Sequence, residues 1–382
     1  MNEYAYLDHN ATTPVRPEAL QAISAALALG ANPSSVHGPG RAARRVLETA
    51  RAQVAALVGA APSDVMFTSG GTEANNLALR GCGRQRLLVS AVEHPSVLDS
   101  GAQIIAVDGH GIVDLERLDM MLAADNTPAL VSVMLVNNET GVIEPVARVV
   151  EIAHRHGAQV HCDAVQAAGK IGLRMADLGV DLLTISGHKI GGPAGVGALI
   201  VNGLEDRRDL DLTASAFGGG QERGIRPGTE NLPGIAGFGA AAQVAGAAIS
   251  DMVRLGAMRD KLEAALRAID PDVVIFGERV ERIATTSFLT LPGTDSTTQL
   301  MAFDLAGIGV STGSACSSGK VRASGVLTAM GIADDVASTA VRVSLGWSSQ
   351  DIDIKAFISA WAELHERRRK SAESEKLIRP AA

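Results

Sequence analysis

Between Val65 and Val201 the chain alternates short β-rich apolar runs with stretches of helix length. The runs lie at residues 65–67, 87–89, 129–136, 158–162 and 181–185. Parallel strands need a crossover of a dozen or more residues, and the segments between most of these runs are long enough for a helix. The pattern therefore predicts an α/β fold: βαβ units forming a mostly parallel sheet flanked by helices. Many Ala, Val, Leu and Gly residues and few aromatics suit that architecture, because small side chains let helices approach a buried sheet.

A single core stops growing near roughly 250 to 300 residues, so 382 residues predict a second, smaller domain. The texture changes near residue 250. A helix is expected over 251–269, strand-like runs at 273–276, 285–291 and 341–345, and a terminal helix over 351–370 with Ile354, Phe357, Trp361 and Leu364 at helical spacing. Further helices are expected at 144–156, between Pro145 and Gly157, and in the Ala/Gly-rich stretch 233–248. The expected division is a large domain over 16–250, and a small α+β domain made of 1–15 with 251–382.

A net charge of −8 disfavours nonspecific binding to nucleic acid, which needs a basic surface. Cys82, Cys162 and Cys316 have no metal-ligand spacing and are odd in number, so neither a resident metal nor a full disulfide framework is expected. They read as thiols of a reducing cytoplasm. No run reaches the roughly 18 to 20 apolar residues needed to span a bilayer, and the N-terminus lacks a basic region followed by an apolar one.

Reactive and polar groups recur just beyond the inferred strand ends, where ligands sit in open parallel sheets. Ser186-Gly187-His188-Lys189 follows the run at 181–185. A lysine shielded there suits a Schiff base, because desolvation favours the neutral, nucleophilic amine. Taken alone, Lys189 is more commonly a solvated loop lysine. Asp163 ends the preceding run, with Gln166 three residues on. A carboxylate opposite a pyridine nitrogen keeps that ring electron-accepting, and Gln166 is placed to donate to a ring oxygen. Capping the next helix is the alternative for Asp163. Thr68-Ser69-Gly70-Gly71-Thr72 feeds a helix running toward Arg80, so Gly71 and Thr72 offer a phosphate cradle. Neither a P-loop nor the dinucleotide spacing is present, and a capping turn that binds nothing is the alternative. His94, in Glu93-His94-Pro95, is placed to stack on a flat ring or move a proton, and Asn138 adds a polar group on the same side. Each signal is weak by itself. Together they meet the separate needs of one cofactor: phosphate, ring nitrogen, ring oxygen, ring face and aldehyde.

Two further features lie in the C-terminal third. Cys316 stands in the Gly/Ser-rich segment Ser311-Thr312-Gly313-Ser314-Ala315-Cys316-Ser317-Ser318-Gly319-Lys320, which has little to bury and is expected to be exposed and mobile, as a travelling thiol requires. An incidental surface cysteine is the alternative. Cys82 and Cys162 read as small buried groups. Arg342, in the run 341–345, is suited either to fork onto a substrate α-carboxylate or to a structural ion pair.

With these residues assembled, the chain resembles the cysteine desulfurases, pyridoxal 5'-phosphate (PLP) enzymes of fold-type I within the class V aminotransferase group. The resemblance covers nearly the whole chain: Tyr6-Leu7-Asp8, Asn10-Ala11-Thr12-Thr13-Pro14, Thr68 to Asn76, Glu93-His94-Pro95, Asn137-Asn138-Glu139, Asp163-Ala164-Val165-Gln166, Ser186-Gly187-His188-Lys189, Gly218 to Gly224, Gly228-Thr229, Gly313-Ser314-Ala315-Cys316 and Arg342. It implies that Lys189 binds PLP covalently, Asp163 pairs with the ring nitrogen, Gln166 and Asn138 lie near the ring oxygen, and His94 stacks on the ring. Gly71, Thr72, Ser186 and His188 would bind the phosphate, with Thr229 reaching it from the neighbouring subunit of a homodimer. Arg342, Asn10 and Asn138 would hold the carboxylate of L-cysteine. Cys316 would carry the persulfide, and the segment 311–326 resembles the longer catalytic loop of the nitrogenase-associated and housekeeping iron–sulfur group. That implies delivery to a scaffold protein or other acceptor, with Cys316 at most a shared iron–sulfur ligand during transfer. A selenocysteine lyase, a class V PLP aminotransferase and a non-catalytic sulfur-trafficking subunit are the alternative readings.

Overall fold

The computed structural model describes residues 4–204, 212–214, 216–313 and 324–378. A two-residue strand β1 (Ala5–Tyr6) precedes the strands of the central sheet: β2 (Val65–Thr68), β3 (Arg86–Ser90), β4 (Gln103–Ile105), β5 (Ala129–Ser132), β6 (Gln159–Asp163), β7 (Leu182–Ser186) and β8 (Gly197–Val201). Their order is β2-β8-β7-β6-β5-β3-β4. The pairs from β4 through β7 are parallel, whereas β8 runs antiparallel to both β7 and β2. Two reversals restore the direction, so β2 points the same way as β7. The carboxyl ends of β2, β3, β5, β6 and β7 consequently share one edge, the geometry that collects ligands.

β2, β5, β6, β7 and β8 are buried at every position. The polar groups inside them are satisfied across the sheet: Ser132 Oγ lies 2.9 Å from His161 Nδ1, and His161 Nε2 lies 3.0 Å from Thr184 Oγ1. Such pairing removes the penalty of burying polar atoms in a dry sheet. One face is covered by the helices Pro17–Leu29, Gly38–Leu57 and Leu232–Ala247. The last realises the expected Ala/Gly-rich helix. A Cβ on Gly239 would lie 2.6 Å from the Ala50 Cα, and only glycine permits that helix contact. Val146–Arg155 is amphipathic as expected, burying Val146, Val149, Val150, Ile152 and Ala153.

A second core gathers Leu255, Leu262, Phe303, Ile354, Phe357 and Trp361 with Ala5 and Leu7 from the N-terminus. It surrounds the antiparallel pair β9 (Thr286–Thr290) and β11 (Ala340–Ser344), and the parallel pair of β1 with β10 (Ile308–Gly309). The expected helices appear as Met252–Ile269 and Asp351–Ile378, the second longer than its apolar stripe predicts. The expected strand at 273–276 does not form. Thr290 Oγ1 takes the Val274 N–H at 3.0 Å, so the side chain replaces a ladder bond, and only an isolated bridge joins Ile275 to Leu289.

Candidate active site

At the carboxyl edge of the sheet lies a cavity of about 500 Å³. Its walls combine strand-end residues with Asn10 and Ala11 from the N-terminal segment and with Gly313 and Arg342 from the C-terminal third. Gly71, Thr72, His94, Asn138, Asp163, Gln166, Ser186, His188 and Lys189 all line it. Every cavity residue expected from the sequence within one copy of the chain, among those the structure describes, therefore meets in one place.

Lys189 stands one turn beyond β7, and its Nζ donates to the backbone carbonyls of Asn10 at 2.5 Å and Ala11 at 2.8 Å. Beside it, β6 ends on Asp163, whose carboxylate is held from two sides. Oδ1 accepts the Val165 N–H at 2.9 Å; the helix that Asp163 is alternatively expected to cap does not form, and a turn follows β6 instead. Oδ2 accepts Asn75 Nδ2 at 2.7 Å. The second hydrogen of that amide goes to Ser96 Oγ at 2.9 Å, and Ser96 Oγ lies 2.8 Å from His94 Nδ1. A polar chain thus links the carboxylate to the imidazole. The Ser96 N–H also donates to His94 Nδ1 at 3.1 Å, so in the neutral ring the proton resides on Nε2.

Gln166 faces a buried lysine that was not singled out in the sequence. Lys170 Nζ donates to Gln166 Oε1 at 2.6 Å and to Asn10 Oδ1 at 2.9 Å. Burial, reinforced by the charges of Lys189 and Arg342, pushes its amine well below the usual lysine range. Gln166 Nε2 then donates to the Asn10 carbonyl at 2.9 Å, the same oxygen that Lys189 uses. Behind the site, Glu93 is buried and bonds the Met134 N–H; burial, then the charge of Asp163, raises its carboxyl well above the ordinary range.

At one end of the cavity stand the residues in which the sequence suggested a phosphate cradle. The helix Gly71–Gly81 starts with no side-chain cap, so its first-turn N–H groups and positive dipole end face the cavity beside Thr72, Ser186 and His188. A Cβ at Gly71 would come within 3.0 Å of Val165 Cγ2, so a larger residue would crowd this floor. Burial, with Lys189 adding to it, lowers His188 to about 4, leaving a neutral imidazole at pH 7. Glu73, in the same first turn, pairs with Arg226 at 3.0 Å.

Arg342 takes the ion-pair alternative while also standing in the cavity wall. Its side chain is 2% exposed and Nη2 meets Asp8 Oδ1 at 2.8 Å, the ion-pair alternative. Nη1 donates to the Asn138 carbonyl at 2.9 Å, while Nε has no hydrogen-bond partner among the described residues. Asn10 Nδ2 donates to the same Asn138 carbonyl at 3.1 Å and to Thr286 Oγ1 at 2.9 Å. Thr229 is exposed and does not line this cavity, and Cys316 lies outside the described residues. Cys82 and Cys162 are buried free thiols, as expected; burial first of all raises both above the ordinary thiol range.

These residues fit a phosphorylated pyridine aldehyde. An uncapped helix start with hydroxyls suits the phosphate, a braced carboxylate suits a pyridine nitrogen, and an amine stands at the adjoining strand end. Asp8 and Asn75 lie in the motifs named above but carry no role in the sequence reading, and neither do Ser96 or Lys170. The last two left a local trace, Ser96 two residues after His94 and Lys170 four after Gln166, spacings that bring side chains together.

The family model of aminotransferase class-V matches residues 5–357. A cysteine desulfurase of Cereibacter sphaeroides is 42% identical over 91% of this chain and 92% of its own. An IscS-like cysteine desulfurase of Mycobacterium tuberculosis is 39% identical over 96% and 98% respectively. Among solved structures, the NifS-like protein of Rickettsia africae superimposes with a TM-score of 0.87 at 38% identity, covering 95% of this chain and all of that one.

Proposed function

The chain belongs to the aminotransferase class-V family, among its cysteine desulfurases, and from that premise we propose that Lys189 holds PLP and Cys316 receives the sulfur of L-cysteine. What carries this reading is the convergence of Lys189, Asp163, His94 and an uncapped helix start on one cavity that also has Arg342 in its wall.

PLP bound there would supply an electron sink for the charge that develops on the substrate carbon. Gly71, Thr72, Ser186 and His188 would hold its phosphate. The Asp163 carboxylate, braced by Asn75 and the Val165 N–H, would hold a proton on the ring nitrogen. His94, with its Nε2 proton available for transfer, would cover the ring, and Gln166 and Asn138 would serve its ring oxygen. Arg342, with Asn10 and Asn138, orients the substrate carboxylate. Lys189 Nζ moves the proton at the substrate Cα. The Cys316 thiolate attacks the substrate sulfur: an S–S bond forms as the C–S bond breaks, and its electron pair leaves with the carbon, which then takes up a proton. L-Alanine and a Cys316 persulfide result, with no external oxidant.

Transfer of that sulfur to an iron–sulfur scaffold or another acceptor protein completes the turnover. We place the reaction in a homodimer, with Thr229 of one copy reaching the phosphate of the other, and in the cytoplasm, where free thiols persist. Among the described residues no single helix is long and apolar enough to cross a membrane, although the bent pair Leu232–Ala247 and Ile249–Ile269 passes by length and composition.

The test begins with the visible absorbance of protein loaded with PLP, followed by titration with L-cysteine and an alanine assay in the presence of a thiol reductant. Cys316→Ser should keep the cofactor and lose alanine formation. Lys189→Ala should lose covalent attachment of PLP. Protein that takes up no PLP, or a serine variant with full turnover, would refute this reading.

A further inference from the structure

Arg342 is held from outside the cavity that it lines. Its Nη2 donates to Asp8 Oδ1 at 2.8 Å, and Asp8 is not one of the lining residues. Nη1 donates to the Asn138 carbonyl at 2.9 Å. Two nitrogens of one planar group are thus tied to the protein, and a rigid fork tied at two points has its direction fixed. The backbone of Asp8 is fixed in turn: Asp8 bridges to Ser344 of β11, the Ser344 N–H donates to the Leu7 carbonyl at 2.8 Å, and the Asp8 carbonyl accepts Tyr6 OH at 3.2 Å. Two residues on, the Asn10 N–H donates to Ser344 Oγ at 2.9 Å, and the Asn10 carbonyl accepts Lys189 Nζ. The short segment from Asp8 to Asn10 therefore touches both the guanidinium and the amine at the end of β7.

We propose that Asp8 is a positioning residue for the substrate carboxylate, which rests on the roles given above to Lys189 and Arg342. By holding the guanidinium to the segment that also receives Lys189, it sets where the Arg342 fork points relative to the amine. In an α-amino acid a single carbon joins the carboxylate to the amino group, so the protein groups that serve the two must keep a fixed spacing. A guanidinium grips a carboxylate strongly only when the two are coplanar and share parallel hydrogen bonds, so a small rotation of the fork costs affinity. Asp8 also supplies the counter-charge that a guanidinium only 2% exposed requires. That second service is structural and acts on every ligand alike, whereas aiming the fork matters only to a ligand that has a carboxylate.

Steady-state alanine formation from L-cysteine is to be measured for Asp8→Ala and Asp8→Glu in the PLP-loaded protein. Beside it, the dissociation constant of cysteamine, which is L-cysteine without its carboxylate, is read from the change in cofactor absorbance. In Asp8→Ala the KM for L-cysteine should rise by about tenfold or more, the scale of one lost hydrogen bond to a charged group, while kcat stays within about threefold of the parent protein. Cysteamine should bind this variant as it binds the parent. Asp8→Glu keeps the counter-charge, so it folds even if the alanine variant does not, and it carries the carboxylate out by one methylene. Its KM for L-cysteine should rise by about threefold or more, with cysteamine again unmoved. An unchanged KM in every variant that folds overturns the proposal, as does an equal loss of L-cysteine and cysteamine binding, which marks a purely structural role. The premise is tested separately in the parent protein. If the parent binds cysteamine as tightly as L-cysteine, no group of the site grips the carboxylate, and the premise and the proposal fall together. If the parent prefers L-cysteine and both variants keep that preference in full, the role of Asp8 alone is removed.

Discussion

Lys170 illustrates how much of this site depends on single atoms. A buried ammonium is expensive unless a carboxylate lies beside it, and the hydrogen bonds of Lys170 run to two amide oxygens instead. Its lowered pKa follows from that burial, and its use from the geometry: Nζ donates two hydrogen bonds, and these fix which way the Asn10 and Gln166 amides point. Lys170→Met would fill the same space and leave both oxygens without that donor. We expect PLP affinity to fall by about tenfold in a titration followed by absorbance, on the scale of one or two lost hydrogen bonds. Stability should change little, because the cost of burying the amine disappears as well. An unchanged affinity would show that the two amides orient themselves. Lys170 lies close in sequence to Gln166, but the roles of Asp8 and Asn75 were illegible for a simple reason. His94, Asp163 and Lys189 announce themselves by following strands, whereas Asp8 meets Arg342 across 334 positions and Asn75 meets Asp163 across 88. Only the folded chain brings those partners together.

At the level of elements, the junction between β5 and the helix Val146–Arg155 is fixed by Glu144. Its N–H donates to the Leu135 carbonyl at 2.9 Å, its carbonyl accepts the Val146 N–H at 2.8 Å, and Oε2 accepts the Val113 N–H at 3.0 Å. The other carboxyl oxygen is buried with no partner among the described residues, and burial above all raises the group from 4.5 to about 8. The sign of the linkage is definite. Below pH 4.5 folded and unfolded chains are both protonated here and nothing is lost. As pH climbs toward 8 the unfolded chain releases a proton that the folded chain retains, so stability falls by about 1.4 kcal/mol for each unit of that interval. Glu144→Gln keeps an oxygen for Val113 and cannot ionise. Denaturant midpoints should therefore separate as pH rises from 5 to 9, with the glutamine variant the more stable at the alkaline end by a few kcal/mol at most, about the integral of that slope. Parallel pH profiles would mean that water reaches the carboxyl. The surrounding elements were largely readable in advance, since each parallel strand is an apolar run closed by polar residues. β4 and β8 were not among the expected runs, and the direction of β8 could not have been read in any case, because a fully buried antiparallel strand and a fully buried parallel one present the same apolar string.

On the scale of the whole molecule, the cavity is where two separate cores touch a common ligand site. Asp163, Ser186 and Lys189 extend from the sheet of the larger core, while Arg342 belongs to β11 and Asn10 follows β1, whose pairing is with β10 beside the second core. A cofactor gripped by both sets of residues resists any unfolding that separates them, because a ligand that binds only the native state stabilises it in proportion to the logarithm of its concentration over Kd. PLP at about 100 times its Kd should add roughly 2.7 kcal/mol by that relation, and the thermal midpoint should climb steadily with PLP concentration. Under the proposed function Lys189→Ala would keep the phosphate and ring contacts but not the covalent attachment, so its midpoint should also rise with PLP and reach a given increment only at higher concentration. A parent-protein midpoint indifferent to PLP would mean that the cavity wall built from Asn10 to Arg342 does not close on the cofactor. A rise confined to the parent protein would place nearly all the grip on Lys189 itself, and would deny the helix start at Gly71 its share.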